Sequence, residues 1–280
     1  MTEFLGALTD PNIPFLRYAF YAGLLASFAF GIVGTYIVTR RISYIAGAIS
    51  HSVLGGIGAG LYLQAVHGLG WSHPMYGAVA AAIVSAIIIG LVSLHARQRE
   101  DTVIGALWAI GMATGLMFLA KTPGYVDPMS YLFGNILLLS KADLWLVGAL
   151  DVLAIGLGVY FYNNFQAVCF DGEFARLRGV NVDVFFLLLL VLTALTVVLL
   201  VRVVGIVMVI ALLTIPAAVA GYFARKLWQT MLLATLFCMA FIIAGIGVSY
   251  AYDLPTGPTI ILIAGAMYLL LAAASRLWTR

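Results

Sequence analysis

Long apolar runs separated by short polar turns organise the whole chain. A helix that crosses a bilayer needs about 20 mostly apolar residues. Runs of that kind lie at roughly 15–39, 43–64, 75–94, 102–120, 144–162, 184–201, 203–224, 228–249 and 257–275. They are too long and too evenly apolar for barrel strands, which alternate apolar and polar positions. The pattern predicts an all-α polytopic membrane protein with about nine spans, or eight if two runs merge. The runs at 184–201 and 203–224 meet at Arg202 with almost no linker. The stretch YLFGNILLLS (131–140) is too short to cross. It is read as a short helix packed on, or dipping into, the outer face.

The polar turns carry the orientation. Arg40, Arg41, Arg97, Arg99, Arg176, Arg178, Arg225, Lys226, Arg276 and Arg280 all fall on one side if the chain starts outside and ends inside. Basic residues are retained on the cytoplasmic side. The opposite loops, AVHGLGWSHP, KTPGYVDP and SYAYDLPTGP, hold one Lys and no Arg. They are rich in Gly, Pro and aromatic residues, as interfacial turns should be. The opening residues, MTEFLGALTD, carry Glu3 and Asp10 and no basic stretch, so no cleavable leader is expected.

Composition agrees with a membrane protein and narrows its work. The 280 residues are 64% hydrophobic and 9% charged, against about 25% charged in a soluble domain. The net charge of +3 is small and scattered, which gives no footprint for nucleic acid. Cys169 and Cys238 lie in different segments and read as ordinary thiols. No GxxxxGK[ST] loop is present to cradle ATP phosphates. The glycine cluster GGIGAG (55–60) lacks the Lys and sits inside an apolar run. Nothing here hydrolyses a nucleotide, so the chain is not expected to be an enzyme. Energy for active transport would come from a partner or an ion gradient.

Ionisable groups at membrane depth are costly and mark function by default. Two stand well inside a run. His51 lies about eight residues, roughly 12 Å, from the cytoplasmic end of the second span. Asp151 lies roughly 10 Å from the outer end of the fifth. Gly47, Gly55 and Gly58 share the His51 face, at i−4, i+4 and i+7, and let another backbone approach. Imidazole is the commonest ligand for a borderline divalent metal. The same histidine could equally be a hydrogen-bonded packing residue. Asp151 could be a ligand, a proton relay or a structural partner. Asp127 and Asp253 at the outer ends suit turns or caps. His67 and His73 flank an outer loop, and His95 stands beside Arg97 on the cytoplasmic side.

The longest cytoplasmic loop is NNFQAVCFDGEFARLRGVNVD (163–183). Phe170, Phe174 and Leu177 fall at i, i+4 and i+7, which predicts a short amphipathic helix. Asp171 and Glu173 near its start and Arg176 and Arg178 near its end suit the helix dipole. Gly179 stands where a C-terminal stop belongs. So short a helix is unstable alone. Lipid, the rest of the chain or a second protein must cover its apolar face.

With these residues in view, the chain resembles the membrane subunit of a bacterial ABC transporter for zinc, manganese or iron. RRISYIAGAISHSVLGGIGAG (40–60) resembles that family's second-helix motif, with His51 at its histidine. VDPMSYLFGNILLLSKADL (126–144), FDGEFARLRGV (170–180), VRVVGIVMVIALLTIPAAVA (201–220) and DLPTGPT (253–259) are similar to further family stretches, in order and at proper spacing. The resemblance implies a type II ABC-importer fold over residues 1–280, in the bacterial inner membrane. It implies a homodimer, or a dimer with a paralogous permease, around a metal pathway. It implies a cytoplasmic ATP-binding subunit docked on Phe170, Asp171, Glu173, Phe174, Ala175, Arg178 and Gly179. It also implies an extracytoplasmic metal-binding protein that delivers the cargo. One position departs from the pattern. Many members carry an acidic residue four before the histidine, where this chain has Gly47. Asp151 or Asp127 would then have to supply the missing oxygen ligand, or the pathway holds metal more loosely. A proton-coupled metal transporter using His51 and Asp151, and a permease for chelated metal, are the alternatives.

Overall fold

The structure is a computed structural model that describes residues 14–68, 73–95, 100–124, 128–134 and 141–278. Its elements there are helices: α1 (Pro14–Arg40), α2 (Ser43–His67), α3 (Pro74–His95), α4 (Glu100–Lys121), α5 (Pro128–Phe133), α6 (Lys141–Tyr160), α7 (Tyr162–Phe170), α8 (Gly172–Leu177), α9 (Val182–Val204), α10 (Ile206–Gly221), α11 (Leu227–Tyr252) and α12 (Thr256–Trp278).

Among the described residues, seven helices are long and apolar enough to cross a membrane: α1 to α4, α9, α11 and α12. The run expected at 144–162 is not one straight span. α6 ends at Tyr160, the chain turns at Phe161, and α7 leaves at 73°. The bent pair brings the number to eight. α10 has only 16 residues, about 24 Å of helix against a ~30 Å core. The expected nine is therefore reached only by counting one bent and one short helix.

The shortness of α10 has a local cause. The break that the sequence placed at Arg202 falls at Gly205, which adopts φ 82°, ψ 163°. Gly134, just after α5, also has positive φ, 68°. Positive φ is cheap only for glycine. The two residues meet backbone to backbone. A Cβ on Gly134 would lie 2.6 Å from the Gly205 nitrogen, and one on Gly205 would lie 2.8 Å from the Leu132 oxygen. So the segment expected on the outer face reaches, as α5, into the break between α9 and α10. Residues 135–140 lie outside the described residues.

α2 stands at the centre, packed between α3 and α4. Small residues make both contacts. A Cβ on Gly56 would overlap the Gly77 carbonyl of α3. On the α4 side, Gly111 rests on the Ser52 backbone and Gly115 on that of Leu54, while Gly58 faces the Gly115 carbonyl. Five buried hydroxyls inside the spans are satisfied within their own helices. Ser27, Thr35, Ser50, Thr193 and Thr196 each donate to a carbonyl four residues back. In hydrocarbon a polar group must find its partner in the protein.

α1 ties α2's bundle to the bent pair. The Tyr36 hydroxyl donates to the Gly158 carbonyl at 2.8 Å, and its ring packs on Phe165 of α7, centroids 5.1 Å apart. The loops sort to two ends. One end holds a cavity of about 410 Å³ whose lining includes Leu16, Gly134, Val204, Ser249 and Thr256. The other holds a cavity of about 620 Å³ with Arg40, Arg41, Glu100 and Arg176 in its wall. Phe170 borders that cavity and also a smaller one beside Arg225 and Lys226. Among the described residues, Arg40, Arg41, Arg176, Arg225 and Lys226 thus collect at one end.

Close backbone approach makes a prediction. Gly115→Ala puts a methyl group 2.8 Å from the Leu54 backbone and should destabilise by about 1–3 kcal/mol, as overpacking does. Gly105→Ala, on the same helix but facing open space, should not. The thermal midpoints of the two purified variants in detergent check this.

Candidate functional site

His51 sits in the N-terminal half of α2 with its side chain buried. Its imidazole stacks on the indole of Trp108 from α4, centroids 4.5 Å apart and planes 23° from parallel. Nδ1 is buried and has no hydrogen-bond partner in the protein. A buried ring nitrogen without a partner is costly. Either ring nitrogen of a neutral imidazole can bind a metal ion or accept a proton.

The glycines of this face, Gly47, Gly55 and Gly58, are covered by α4 of the same chain. A Cβ on Gly47 would lie 2.8 Å from Cη2 of Trp108, one on Gly55 would lie 2.9 Å from the Thr114 hydroxyl, and one on Gly58 would lie 2.7 Å from the Gly115 carbonyl. The physical reason is that α4 is itself small along the facing stripe, at Gly111, Thr114 and Gly115, so the two helices close on each other. Ser52 adds a tether, donating to Ala48 O at 2.9 Å and reaching Leu107 O at 3.5 Å. Trp108 was missed by reasoning from α2 alone. Its signal lay in α4, where Trp108, Gly111 and Gly115 recur at i, i+3 and i+7.

Asp151 is buried on α6, against α1. Oδ1 accepts from the Ala29 backbone N–H at 3.1 Å, and Oδ2 is buried without a partner. His51 and Asp151 thus serve different helix pairs, α2–α4 and α6–α1. Asp127 lies outside the described residues. Among the described residues no group of three or more His, Cys, Asp or Glu side chains could hold a metal ion. Asp253 caps α11 in the left-handed region, φ 52°. His73 Nδ1 accepts from Met75 N at 3.2 Å at the start of α3.

The 163–183 loop is a pair of helices, not one. α7 and α8 meet at Asp171, whose carboxylate accepts from Phe174 N at 3.0 Å and caps α8. At the other end Gly179, φ 81°, completes the stop. Gly179 N–H donates to Arg176 O and Val180 N–H to Ala175 O, both at 3.0 Å, the paired bonds of a Schellman motif. Arg176 pairs with Asp183 of α9, and Arg178 lies over the Phe174 ring, 5.0 Å from its centroid. Ala175 does not belong to the outward face. It is fully buried inside this chain, whereas Phe170, Phe174 and Leu177 are 65%, 52% and 87% exposed. An apolar face so open at a basic end is unfinished business for the chain alone.

Comparison with known proteins places the whole bundle. The ABC 3 transport family matches residues 12–275. The chain belongs to that family. Among members of known name, a "probable metal transport system membrane protein" of Chlamydia pneumoniae is 40% identical over 94% of this chain and 91% of its own. A manganese transport system membrane protein, MntC, of Halalkalibacterium halodurans is 32% identical over 91% of this chain and 86% of its own. The solved complex of PsaBC from Streptococcus pneumoniae with a Fab superposes with a TM-score of 0.83 at 28% identity, covering 96% of this chain and 94% of that one. An all-helical ABC 3 membrane protein is therefore the frame in which these sites act.

The contact at Asp151 yields a prediction. Asp151→Asn keeps an oxygen to accept from Ala29 N and replaces the unpartnered Oδ2 with a neutral amide NH2. Transport by the assembled protein should stay near the unmodified level. A loss as deep as that of His51→Ala would make the carboxylate a ligand.

Proposed function

We propose that this chain is the membrane subunit of an importer that carries a divalent transition metal, zinc or manganese, past His51. The observation that carries the reading is the buried imidazole inside an apolar span with Nδ1 unpartnered, in a family whose named relatives include metal transport proteins. The metal is cargo and must be released, so one or two weak ligands suit a conduit better than a closed cage. A second ligand comes from a second permease copy or from residues not described here, with Asp127 a candidate.

The energy comes from a cytoplasmic ATP-binding subunit seated on α7 and α8. Phe170, Phe174 and Leu177 supply the apolar contact, and Asp171, Glu173 and Arg178 its rim. Ala175 and Gly179 shape the hairpin from within. An extracytoplasmic protein delivers the metal to the end holding the Ser249–Thr256 cavity. The basic end faces the cytoplasm by the retention rule, in the inner membrane of a bacterial cell, and the permease works as a dimer.

Three expected outcomes test this. His51→Ala abolishes ATP-dependent uptake of both metals by the reconstituted complex while leaving assembly intact. Uptake at the normal rate makes the histidine structural, and uptake without ATP points to an ion gradient instead. Leu177→Asp puts a charge on the docking face and should prevent co-purification of the ATPase with a folded permease. Ala175→Asp, inside the chain, should instead lower the yield of the permease itself. For orientation, Tyr252→Cys in a background lacking Cys169 and Cys238 should react with an impermeant thiol reagent outside intact cells, and Leu177→Cys only after permeabilisation.

A further inference from the structure

We infer that Trp108 is the residue that sets which metals His51 can pass, and that Gly47 is glycine because the indole fills its place. This rests on the reading of His51 as a pathway ligand. The geometry makes positions 47 and 108 one choice. The six-membered ring of Trp108 lies where a side chain at 47 would start, Cη2 being 2.8 Å from the ideal Cβ position. The same indole stacks on the imidazole at 4.5 Å. A side chain at 47 and the indole of Trp108 in this position cannot both be accommodated, so one must move.

The indole also decides the chemistry around the imidazole. It covers one face of the ring with hydrocarbon and offers no oxygen to a cation. Ser52 lies alongside, its hydroxyl 3.5 Å from the carbonyl of Leu107, the chain neighbour of Trp108. An ion that favours carboxylate, carbonyl and water ligands, as manganese does, finds neither oxygen nor room for its hydration shell on that face. An ion content with imidazole, as zinc is, loses little. Trp108 is thus a positioning and selecting residue. It acts through the His51 ring and the space around it.

The test is ATP-dependent uptake of zinc and of manganese by the reconstituted complex, each metal saturating the binding protein. Trp108→Ala should lower the zinc-to-manganese ratio by about tenfold, the scale of losing a residue that tunes a metal ligand. Trp108→Phe keeps an aromatic wall and should keep the ratio. Gly47→Asp alone should fail to assemble or to transport, because the indole blocks the new side chain. Combined with Trp108→Ala it should recover transport and favour manganese. That rescue is something a merely structural tryptophan would not give. An unchanged ratio in Trp108→Ala and in the double variant, with His51→Ala inactive, overturns the inference and leaves His51 as ligand. So does a Gly47→Asp protein that assembles and transports normally with Trp108 in place. Normal transport by His51→Ala removes the pathway reading itself.

Discussion

The fold depends on backbones touching backbones. In a bilayer, apolar side chains gain little by leaving lipid for protein, so helices associate through close packing. In this chain the closeness comes from glycine. α2 is held between α3 and α4 because Gly56, Gly58, Gly77, Gly111 and Gly115 leave no Cβ in the way. The same device joins α5 to the α9–α10 break, where Gly134 and Gly205 meet with both at positive φ. Each contact is shorter than any alanine would allow, so each fixes the register of its pair.

This packing explains why His51 is where it is. A helix clasped on two sides has no lipid face at the histidine. The imidazole is therefore buried among protein atoms and takes its surroundings from α4, not from solvent. The cost of the unpartnered Nδ1 is borne because the glycine contacts on both sides hold α2 in register. Tyr36 of α1 and Asp151 of α6 join α1 to the bent pair α6–α7 by hydrogen bonds to backbone groups.

The hairpin shows how a small element can be both rigid and incomplete. Its second helix, α8, is closed by Asp171 at the start and Gly179 at the stop, with Arg176 anchored on Asp183 of α9. Its inner side is packed through Ala175. Only its outer apolar face is left open. A fixed shape with one open face is what a docking element needs, since little conformational entropy is lost when a partner covers it.

Hydrophobic runs along the chain determine the class and the number of spans to within one bent and one short helix. They do so because the bilayer imposes a length and a polarity that every span must meet on its own. The chemistry of individual residues picks out His51 and Asp151, because an ionisable group in an apolar run is rare. Which helices meet is not written in any one segment. Gly47 and Trp108 are far apart in the chain, and only the closure of α2 on α4 shows that one makes room for the other. Ala175 and Phe174 are neighbours in sequence, and only the bend at Phe161 and the cap at Asp171 turn one inward and the other out. Contacts between segments depend on complementary surfaces, and a surface exists only once both helices are in place.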